Sequence, residues 1–469
     1  MFLQNISKFI LNYRYEQAST ESISTAKIAL LDFLGVTYRG IGEPASQMAL
    51  NMVKEIFSGN SNTNIKASII GTNLKTDMLN AAFINAISAH ALELDDGHRF
   101  AQIHLGSVIF PTALAIAEGY NLSGREFLEG VIIGYEVGIL LGKLVNPKHR
   151  NNGFHTTGTI GTFVAGAVAS KLLKLDTTQI LNALGLCGTQ AAGLLESDHS
   201  GSMGKVLHVG KAAYNGILSA FLAKNGFTGS GTIFEGNEGF LKTMVVKDEN
   251  YTIEDFSFEQ ALKDIGRVSI RDIYFKKYPF CRHIHSSIDT ALKLKASIGE
   301  EYDHIQNITI KTYSLAAQHI NYNPKNIEDL KQSLPYAVAI ALVVGEVNID
   351  ELNQLIKYGL LESYSTVTKV ISIKNLVNHL EIIEDEKLEK LYPEKRPSNI
   401  IIKLDKNFRN GIFQNITLIP KGDYENPLHL KELIDKFKNL NPQYNINNLT
   451  IIDTIEDFSM KFVVQKLNR

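Results

Sequence analysis

Cysteine and tryptophan are nearly missing from this chain of 469 residues, which has two cysteines and no tryptophan. Cys187 and Cys281 stand far apart and alone, so the sequence offers no disulfide framework and no paired thiols for zinc. Two thiolates also fall short of the cysteine set that normally holds an iron–sulfur cluster. We therefore expect a protein of a reducing compartment whose chemistry does not use such a cluster.

An excess of charge and a long apolar run are missing as well. The formal net charge is -2, which gives no field that would attract nucleic acid or an anionic membrane. No apolar run reaches the length of a membrane span without a charge. Residues 1–17 lack a basic start followed by an apolar core, so they predict an amphipathic helix and not a signal peptide. We expect a cytoplasmic protein with no nucleic-acid or membrane partner.

Residues 1 to about 245 show helical periodicity and almost no strand alternation. The run Ile23–Leu34 predicts a helix that Gly35 ends as a C-cap. Gly130, Gly134, Gly138 and Gly142 recur at every fourth residue, which predicts that another helix lies close against that face. Capping boxes are predicted to open two helices, at Ser123 with Glu126 and at Asp176 with Gln179.

The composition of the sequence changes near residue 247. The acidic and polar stretch DENYTIEDFSFEQ is typical of a linker or an exposed helix start. Beyond it, IQNITIKTY alternates like a strand, and NIIIKLD and GIFQNITLI predict a hairpin joined by DKNFRN. The tail is helical and amphipathic. We predict a mainly α protein with a large helical domain (1–267), an inserted α+β lid domain (268–422) and a C-terminal segment (423–469) that returns to the helical domain.

The stretch from Glu93 to Gly106 packs three carboxylates, two histidines and an arginine between two apolar helical runs, with His90 before it. A solvated loop can be this charged. Because histidine changes charge near neutral pH, the stretch also fits an acid–base site, which we take as the working hypothesis.

Two more polar interruptions could complete such a site. His155 and Thr156 precede a helix, where free N–H groups attract anions, although a threonine cap beside a packed histidine gives the same pattern. Lys205 and His208 follow a Gly/Ser loop and share a helix face. Further along, Arg282, His283 and His285 come just before another helix. The remaining histidines are predicted to be on the surface, among them His149, His304, His319, His379 and His429.

Several blocks in order resemble the MmgE/PrpD family over nearly the whole chain. These blocks are HALELDDGHRFAQIHLGS, GFHTTGTIGTFVAGA, GSMGKVLHVGKAA, FKKYPFCRHIH, SLPYAVAIAL and PKGDYENPL. The family includes 2-methylcitrate dehydratase, cis-aconitate decarboxylase and iminodisuccinate epimerase. The resemblance implies a helical domain with a smaller α+β lid, a homodimer, and neither a metal nor an organic cofactor.

Carried over by position, the resemblance also implies site residues. The decarboxylase-type pocket maps onto Glu93 (aspartate in those enzymes), Asp95, Asp96, Gly97 (threonine there), His104 (followed by Leu105 where proline is usual), His155, Lys205, His285 and Tyr336. The changes at Glu93 and Gly97 argue against cis-aconitate decarboxylation itself and leave the broader site intact.

Those reactions all handle a proton on carbon beside a carboxylate, so a site needs a base together with cations. We assign His104 and His155 as the acid–base pair, with Asp95 or Asp96 orienting one of them. Substrate contacts are assigned to Glu93, Lys205, Arg282, His285 and the helix start at Thr156, and Tyr336 is assigned as a proton donor.

The predicted activity is that of a lyase acting on a small polycarboxylate, with dehydration of a 2-methylcitrate-like acid favoured over cis-aconitate-type decarboxylation. An epimerase using two bases is the alternative within the enzymes. A metal-dependent hydrolase built on Asp95, Asp96, His98 and His104 lacks the usual histidine-pair motif. A non-catalytic carboxylate-binding homologue also stays open.

Overall fold

The computed structural model describes residues 2–57, 65–246, 256–266, 269–405 and 411–468. The chain divides into two compact units. The larger unit comprises Met1–Glu196, Met203–Phe275 and His429–Arg469, and the smaller one comprises Ser197–Ser202 and Lys276–Leu428. The architecture is mainly α with small sheets, which confirms the predicted fold class.

Helices make up most of the chain before Phe275. In order they are α1 (Phe2–Asn12), α2 (Thr20–Gly40), α3 (Pro44–Phe57), α4 (Met78–His90), α5 (Gly106–Gly119), α6 (Gly124–Val145), α7 (Lys148–Asn151), α8 (Thr156–Leu172), α9 (Thr177–Gln190), α10 (Glu196–His199), α11 (Gly204–Lys224) and α12 (Phe258–Asp264). Four two-residue strands form two antiparallel pairs, β1 (Ala67–Ser68) with β2 (Lys75–Thr76) and β3 (Gly97–His98) with β4 (Ile273–Tyr274). Of the stretch predicted as a linker, residues 248–255 lie outside the described residues.

The core of the larger unit is built from helices that are apolar on nearly every side. In α8 every residue except Lys171 is buried, and α4 and α5 are buried almost as completely. A helix without a polar face needs neighbours all round. Accordingly, α11 packs against α4, α8 and α9, and α6 packs against α8.

The glycine face of α6 allows the close packing that its spacing predicts. A Cβ at Gly138 would lie 2.8 Å from Val164 Cγ2 of α8, and one at Gly142 would lie 2.9 Å from the carbonyl oxygen of Ala101. Both distances are too short for a real Cβ. Larger residues at Gly138 and Gly142 would therefore push away α8 and the segment that contains Ala101. The face is structural.

Among its described residues from Lys276 to Leu428, the smaller unit combines seven α-helices with a four-stranded sheet. The helices are α13 (His285–Ile298), α14 (Ser314–Ala317), α15 (Ile327–Lys331), α16 (Leu334–Val344), α17 (Ile349–Lys357), α18 (Thr368–Asn378) and α19 (Glu386–Glu389). The strands are β5 (Ile305–Thr312), β6 (Leu380–Glu384), β7 (Ser398–Leu404) and β8 (Ile412–Thr417), arranged in the order β6-β5-β7-β8.

The predicted hairpin is confirmed, since β7 and β8 pair antiparallel from Ser398 opposite Thr417 to Lys403 opposite Ile412. Residues 406–410 of the predicted turn DKNFRN lie outside the described residues. The sheet is mostly antiparallel, as expected, and β5 pairs parallel with β6. Strand β6 was not predicted.

The C-terminal segment is helical, with α20 (Leu430–Leu440) and α21 (Met460–Leu467). Helix α20 packs against α2 and explains why the predicted end of α2 at Gly35 is wrong. A Cβ at Gly35 would lie 3.0 Å from Phe437 Cδ2, so this glycine makes room for α20 while α2 continues to Gly40. Both predicted capping boxes are confirmed, at Ser123 with Glu126 and at Asp176 with Gln179.

A search of the described residues for a helix long and apolar enough to cross a membrane finds none.

Candidate active site

The charged stretch after α4 is buried inside the larger unit. Glu93, Asp95 and Asp96 are 3%, 2% and 4% exposed. Because ionisable side chains are rarely this buried without partners, the solvated-loop interpretation is wrong. The pairing of β3 with β4 holds the middle of the stretch in place, with Gly97 opposite Tyr274.

Glu93 combines an unusual backbone with an ion pair. Its φ is 53°, a left-handed conformation that residues other than glycine rarely adopt and that tends to occur at functional sites. Its carboxylate pairs with Lys205 Nζ from the first turn of α11. The ion pair therefore connects the charged stretch to a second helix.

His104 is oriented by two hydrogen bonds from the protein. Its Nδ1 lies 2.8 Å from the main-chain oxygen of Asp96, and its backbone N–H donates to Thr157 Oγ1 at 3.1 Å. Since a carbonyl oxygen can only accept, Nδ1 carries the proton. The other ring nitrogen, Nε2, is then the one with a lone pair while the ring is neutral.

The Asp96 carboxyl anchors two helices. Oδ1 accepts from the backbone N–H of Gly106 at 2.8 Å, and Oδ2 accepts from the Tyr135 hydroxyl of α6 at 2.6 Å. Burial raises the pKa of Asp96 to about 7; the bond from Tyr135 opposes this rise and the charge of Asp95 adds to it. The side chain therefore positions the start of α5.

His90 lies at the centre of the site. The residue is completely buried, and its Nδ1 is 2.7 Å from Asp95 Oδ2. Its ring centroid lies 5.0 Å from that of His104 and 6.1 Å from that of His155. The two predicted acid–base residues are thus neighbours of a third imidazole.

His155 stands at the N-cap of α8, and its Nδ1 lies 3.2 Å from His208 Nδ1. Burial lowers the pKa of His155 well below its usual value, and the charge of Lys205 lowers it further. The ring is therefore neutral at pH 7. The Thr156 hydroxyl accepts from Asn146 Nδ2 at 3.2 Å, so its partner is a neighbouring amide.

The structure thus brings the predicted residues of the larger unit to one place. Around His90 it gathers Glu93, Asp95, Asp96, His104, His155 and Lys205. The arrangement offers imidazoles for proton transfer beside a lysine cation and several carboxylates.

Three predicted site residues, Arg282, His285 and Tyr336, belong to the smaller unit. Arg282 is 3% exposed, donates to the Lys421 carbonyl oxygen at 3.0 Å and lies 3.3 Å from the Asp423 carboxylate. It also donates to Nδ1 of His285, whose Nε2 donates to the Phe280 carbonyl at 3.1 Å. Tyr336 lies in the first turn of α16, and burial raises its pKa. Arg282 and His285 therefore have partners within their own unit.

One group of side chains in the described part of the chain has the spacing of a metal site. Ligand atoms of His90, Asp95 and His104 lie within 4.8 Å of one another. Hydrogen bonds already engage Nδ1 of His90, with Asp95, and Nδ1 of His104, with the Asp96 carbonyl. A metal bound through those atoms would have to displace both bonds, whereas one bound through the Nε2 atoms would leave them in place.

Sequence reasoning missed His90 and Tyr135 as site residues and left His208 without a role. His90 borders the charged stretch, and His208 shares a helix face with Lys205, so both carried a weak signal. Tyr135 carried none, since it sits in an apolar helix. The surface prediction for His149 is wrong: the residue is fully buried, with Nε2 2.7 Å from Thr159 Oγ1 and its ring stacked on Phe154.

Comparisons with known proteins show the family of the chain. Residues 4–252 match the model of the MmgE/PrpD N-terminal domain, and residues 278–448 match that of the MmgE/PrpD C-terminal domain. A cis-aconitate decarboxylase of Aspergillus terreus is 25% identical over 71% of this chain and 70% of its own length. The cis-aconitate decarboxylase of Mus musculus is 24% identical over 95% of this chain and 86% of its own length. The cis-aconitate decarboxylase-like protein oryM of Aspergillus oryzae is 27% identical over 70% of each chain.

Proposed function

The chain belongs to the MmgE/PrpD family, and on that premise we propose that it is a cofactor-independent lyase. Its substrate is a small di- or tricarboxylate, and the reaction moves a proton on the carbon next to a carboxylate. Dehydration of a 2-methylcitrate-like acid is the favoured reaction.

The observation that carries this proposal is the cluster of three imidazoles, His90, His104 and His155, close to Lys205. Removing a proton beside a carboxylate places extra negative charge on a group that is already anionic. A partly buried lysine stabilises that charge more strongly than water does, because the site is arranged before the reaction begins. A neutral imidazole is a suitable base near pH 7.

Within the larger unit, His104 and His155 serve as acid and base, and Lys205 binds a substrate carboxylate. Lys205 is paired with Glu93, so a substrate carboxylate joins or replaces an existing carboxylate partner. Asp96 positions His104 through its main-chain oxygen. Tyr336 as proton donor, and Arg282, His285 and Thr156 as substrate contacts, stay predictions from the sequence.

The choice among lyase reactions depends on the residues that differ from the decarboxylase pattern. Glu93 is one carbon longer than aspartate, and Gly97 lacks the side chain of threonine. Both changes alter the contacts available to a substrate, which favours dehydration. Decarboxylation is the second candidate, since the relatives compared above are called cis-aconitate decarboxylases. Epimerisation of an iminodisuccinate-like acid and plain carboxylate binding are further alternatives.

The test is incubation of the protein with a panel of di- and tricarboxylates in deuterated water, followed by NMR. Dehydration predicts an alkene product and loss of the carbinol signal. Release of carbon dioxide would assign the decarboxylase, and deuterium exchange without loss of either group would assign the epimerase. If no acid changes and His104→Ala and His155→Ala bind the acids like the unmodified protein, the enzyme proposal fails.

A further inference from the structure

His90 differs from the other imidazoles of the site in two ways. A carboxylate lies against one of its ring nitrogens. The other ring nitrogen makes no hydrogen bond to the described residues. Its Nδ1 lies 2.7 Å from Asp95 Oδ2. An ionised carboxylate only accepts hydrogen bonds, so the ring proton is on Nδ1 and Nε2 carries the lone pair. This is the arrangement in which a carboxylate orients a base.

Nε2 of His90 has no hydrogen-bond partner among the described residues, although the side chain is fully buried. It lies 3.7 Å from Glu93 Oε1, beyond hydrogen-bond distance. Leaving a buried polar atom unsatisfied costs about 1–3 kcal/mol. Such a cost is understandable where the atom is kept ready for a reacting group.

We propose that His90, oriented by Asp95, is the base that removes the proton from carbon, so that it takes the base role given above to His155 while His104 is the acid. This inference rests on the proposed function and deepens it. The Nε2 lone pair forms the new N–H bond, and the electrons of the broken C–H bond form the carbon–carbon double bond as hydroxide departs. His104 enters the step as an imidazolium, protonated on both ring nitrogens, and gives its Nε2 proton to the departing hydroxide, which leaves as water; its Nδ1 proton stays on the Asp96 carbonyl oxygen. His90 becomes an imidazolium whose charge Asp95 balances.

The surroundings of the other two imidazoles favour His90 for this step. His104 Nδ1 donates to a neutral carbonyl oxygen and lies 3.7 Å from Asp95 Oδ1, too far for a hydrogen bond. His155 faces another imidazole, His208, and the charge of Lys205 disfavours its protonated form. Among the three, His90 has the direct carboxylate bond that stabilises the cation formed when it accepts a proton.

Two substitutions separate a catalytic His90 from one that only holds Asp95. Asparagine at position 90 keeps a donor near the place of Nδ1 and removes Nε2. If His90 is the base, His90→Asn should lower kcat by about 10²–10⁴-fold with a small change in KM. Asp95→Asn should also lower kcat, because the amide donates to Nδ1 and moves the ring proton to Nε2. His149→Asn, a buried histidine outside the site, controls for the loss of an imidazole and should keep kcat.

The proposal fails if His90→Asn folds and keeps kcat within threefold. It also fails if the substrate panel shows release of carbon dioxide without C–H cleavage, since that reaction needs no base at carbon. Thermal unfolding of each variant shows whether a loss of activity reflects a loss of structure.

A measurement without turnover keeps this inference separate from the proposed reaction. In the protein labelled with ¹⁵N-histidine, His90 should carry its proton on Nδ1, and propane-1,2,3-tricarboxylate should shift the Nε2 resonance. An Nε2–H tautomer or an unresponsive ring would overturn the inference whatever the substrate panel shows. If no acid is converted but His90 behaves as expected, the proposed reaction fails and the assignment of a base poised toward a bound carboxylate stands.

Discussion

Tyr274 fills the space beside Gly97 in which any other side chain would begin. The two residues pair across β3 and β4, and a Cβ on Gly97 would lie 2.6 Å from Tyr274 Cζ. In the decarboxylase-type pattern this position is a threonine. Here Tyr274, from a distant part of the sequence, occupies the place where that side chain would begin.

We expect Gly97→Thr to lower the free energy of unfolding by about 1–3 kcal/mol, because the new side chain overlaps the tyrosine ring. Adding Tyr274→Ala should restore part of that loss. Urea unfolding of the two single variants and the double variant measures the coupling. If Gly97→Thr is as stable as the unmodified protein, Tyr274 does not fill this space.

Asp96 should make stability depend on pH. Its folded pKa of about 7 lies above the ordinary 3.8, so between these values the folded chain holds a proton that the unfolded chain has lost. Stability is therefore greatest at the acid end of this range and declines as pH rises toward 7, by at most about 1.4 kcal/mol per pH unit for this group. Asp96→Asn should remove this part of the slope between pH 5 and 7, as measured by urea unfolding. An identical slope in the variant would contradict the assignment.

Lys436 of α20 should hold the charged stretch in place. Its ammonium lies 2.7 Å from Asp32 Oδ1 and 2.8 Å from the carbonyl oxygen of Leu94. Lys436→Met leaves the buried Asp32 charge without this cation, which should cost about 3–5 kcal/mol. The pair of substitutions Asp32→Asn and Lys436→Met should cost less than Lys436→Met alone. Equal losses in both proteins would show that the ion pair is not what matters.

The His155 ring should stay neutral across pH 6 to 8, because burial and Lys205 both lower its pKa. Lys205→Met should move that pKa upward by removing the nearby positive charge. Histidine NMR titration of the unmodified protein and of Lys205→Met measures both values. A titration midpoint for His155 near 6.5 in the unmodified protein would contradict the described environment.

Local signals explain which parts of the structure were predictable. The capping boxes at Ser123 and Asp176 involve residues three apart, and the β7–β8 hairpin joins neighbouring strands, so the sequence contains their causes. The prediction for Gly35 was wrong because this glycine leaves room for the Phe437 ring, and Phe437 lies about four hundred residues later in the chain. A local pattern cannot distinguish a glycine that ends a helix from one that admits a distant ring.

The site residues likewise divide into those with a local sequence signal and those without one. Polar interruptions of an apolar helical domain marked His104, His155 and Lys205 as candidates, and the family resemblance assigned them to the site. His90 was passed over as a site residue because it closes an apolar helix and resembles a packed core histidine. Its distinguishing feature, the bond to Asp95, appears once the loop after α4 folds back. The contact between Asp96 and Tyr135 likewise depends on how α6 packs against the charged stretch.

The central claim is that the protein's own imidazoles move a proton on carbon. The decisive measurement is incubation of chelator-treated protein with citrate-class acids in deuterated water, with the carbon next to each carboxylate followed by NMR. We expect C–H cleavage with loss of water in the unmodified protein and its near abolition in His104→Ala. Turnover that depends on added metal, or that is unchanged in His104→Ala, would contradict the account.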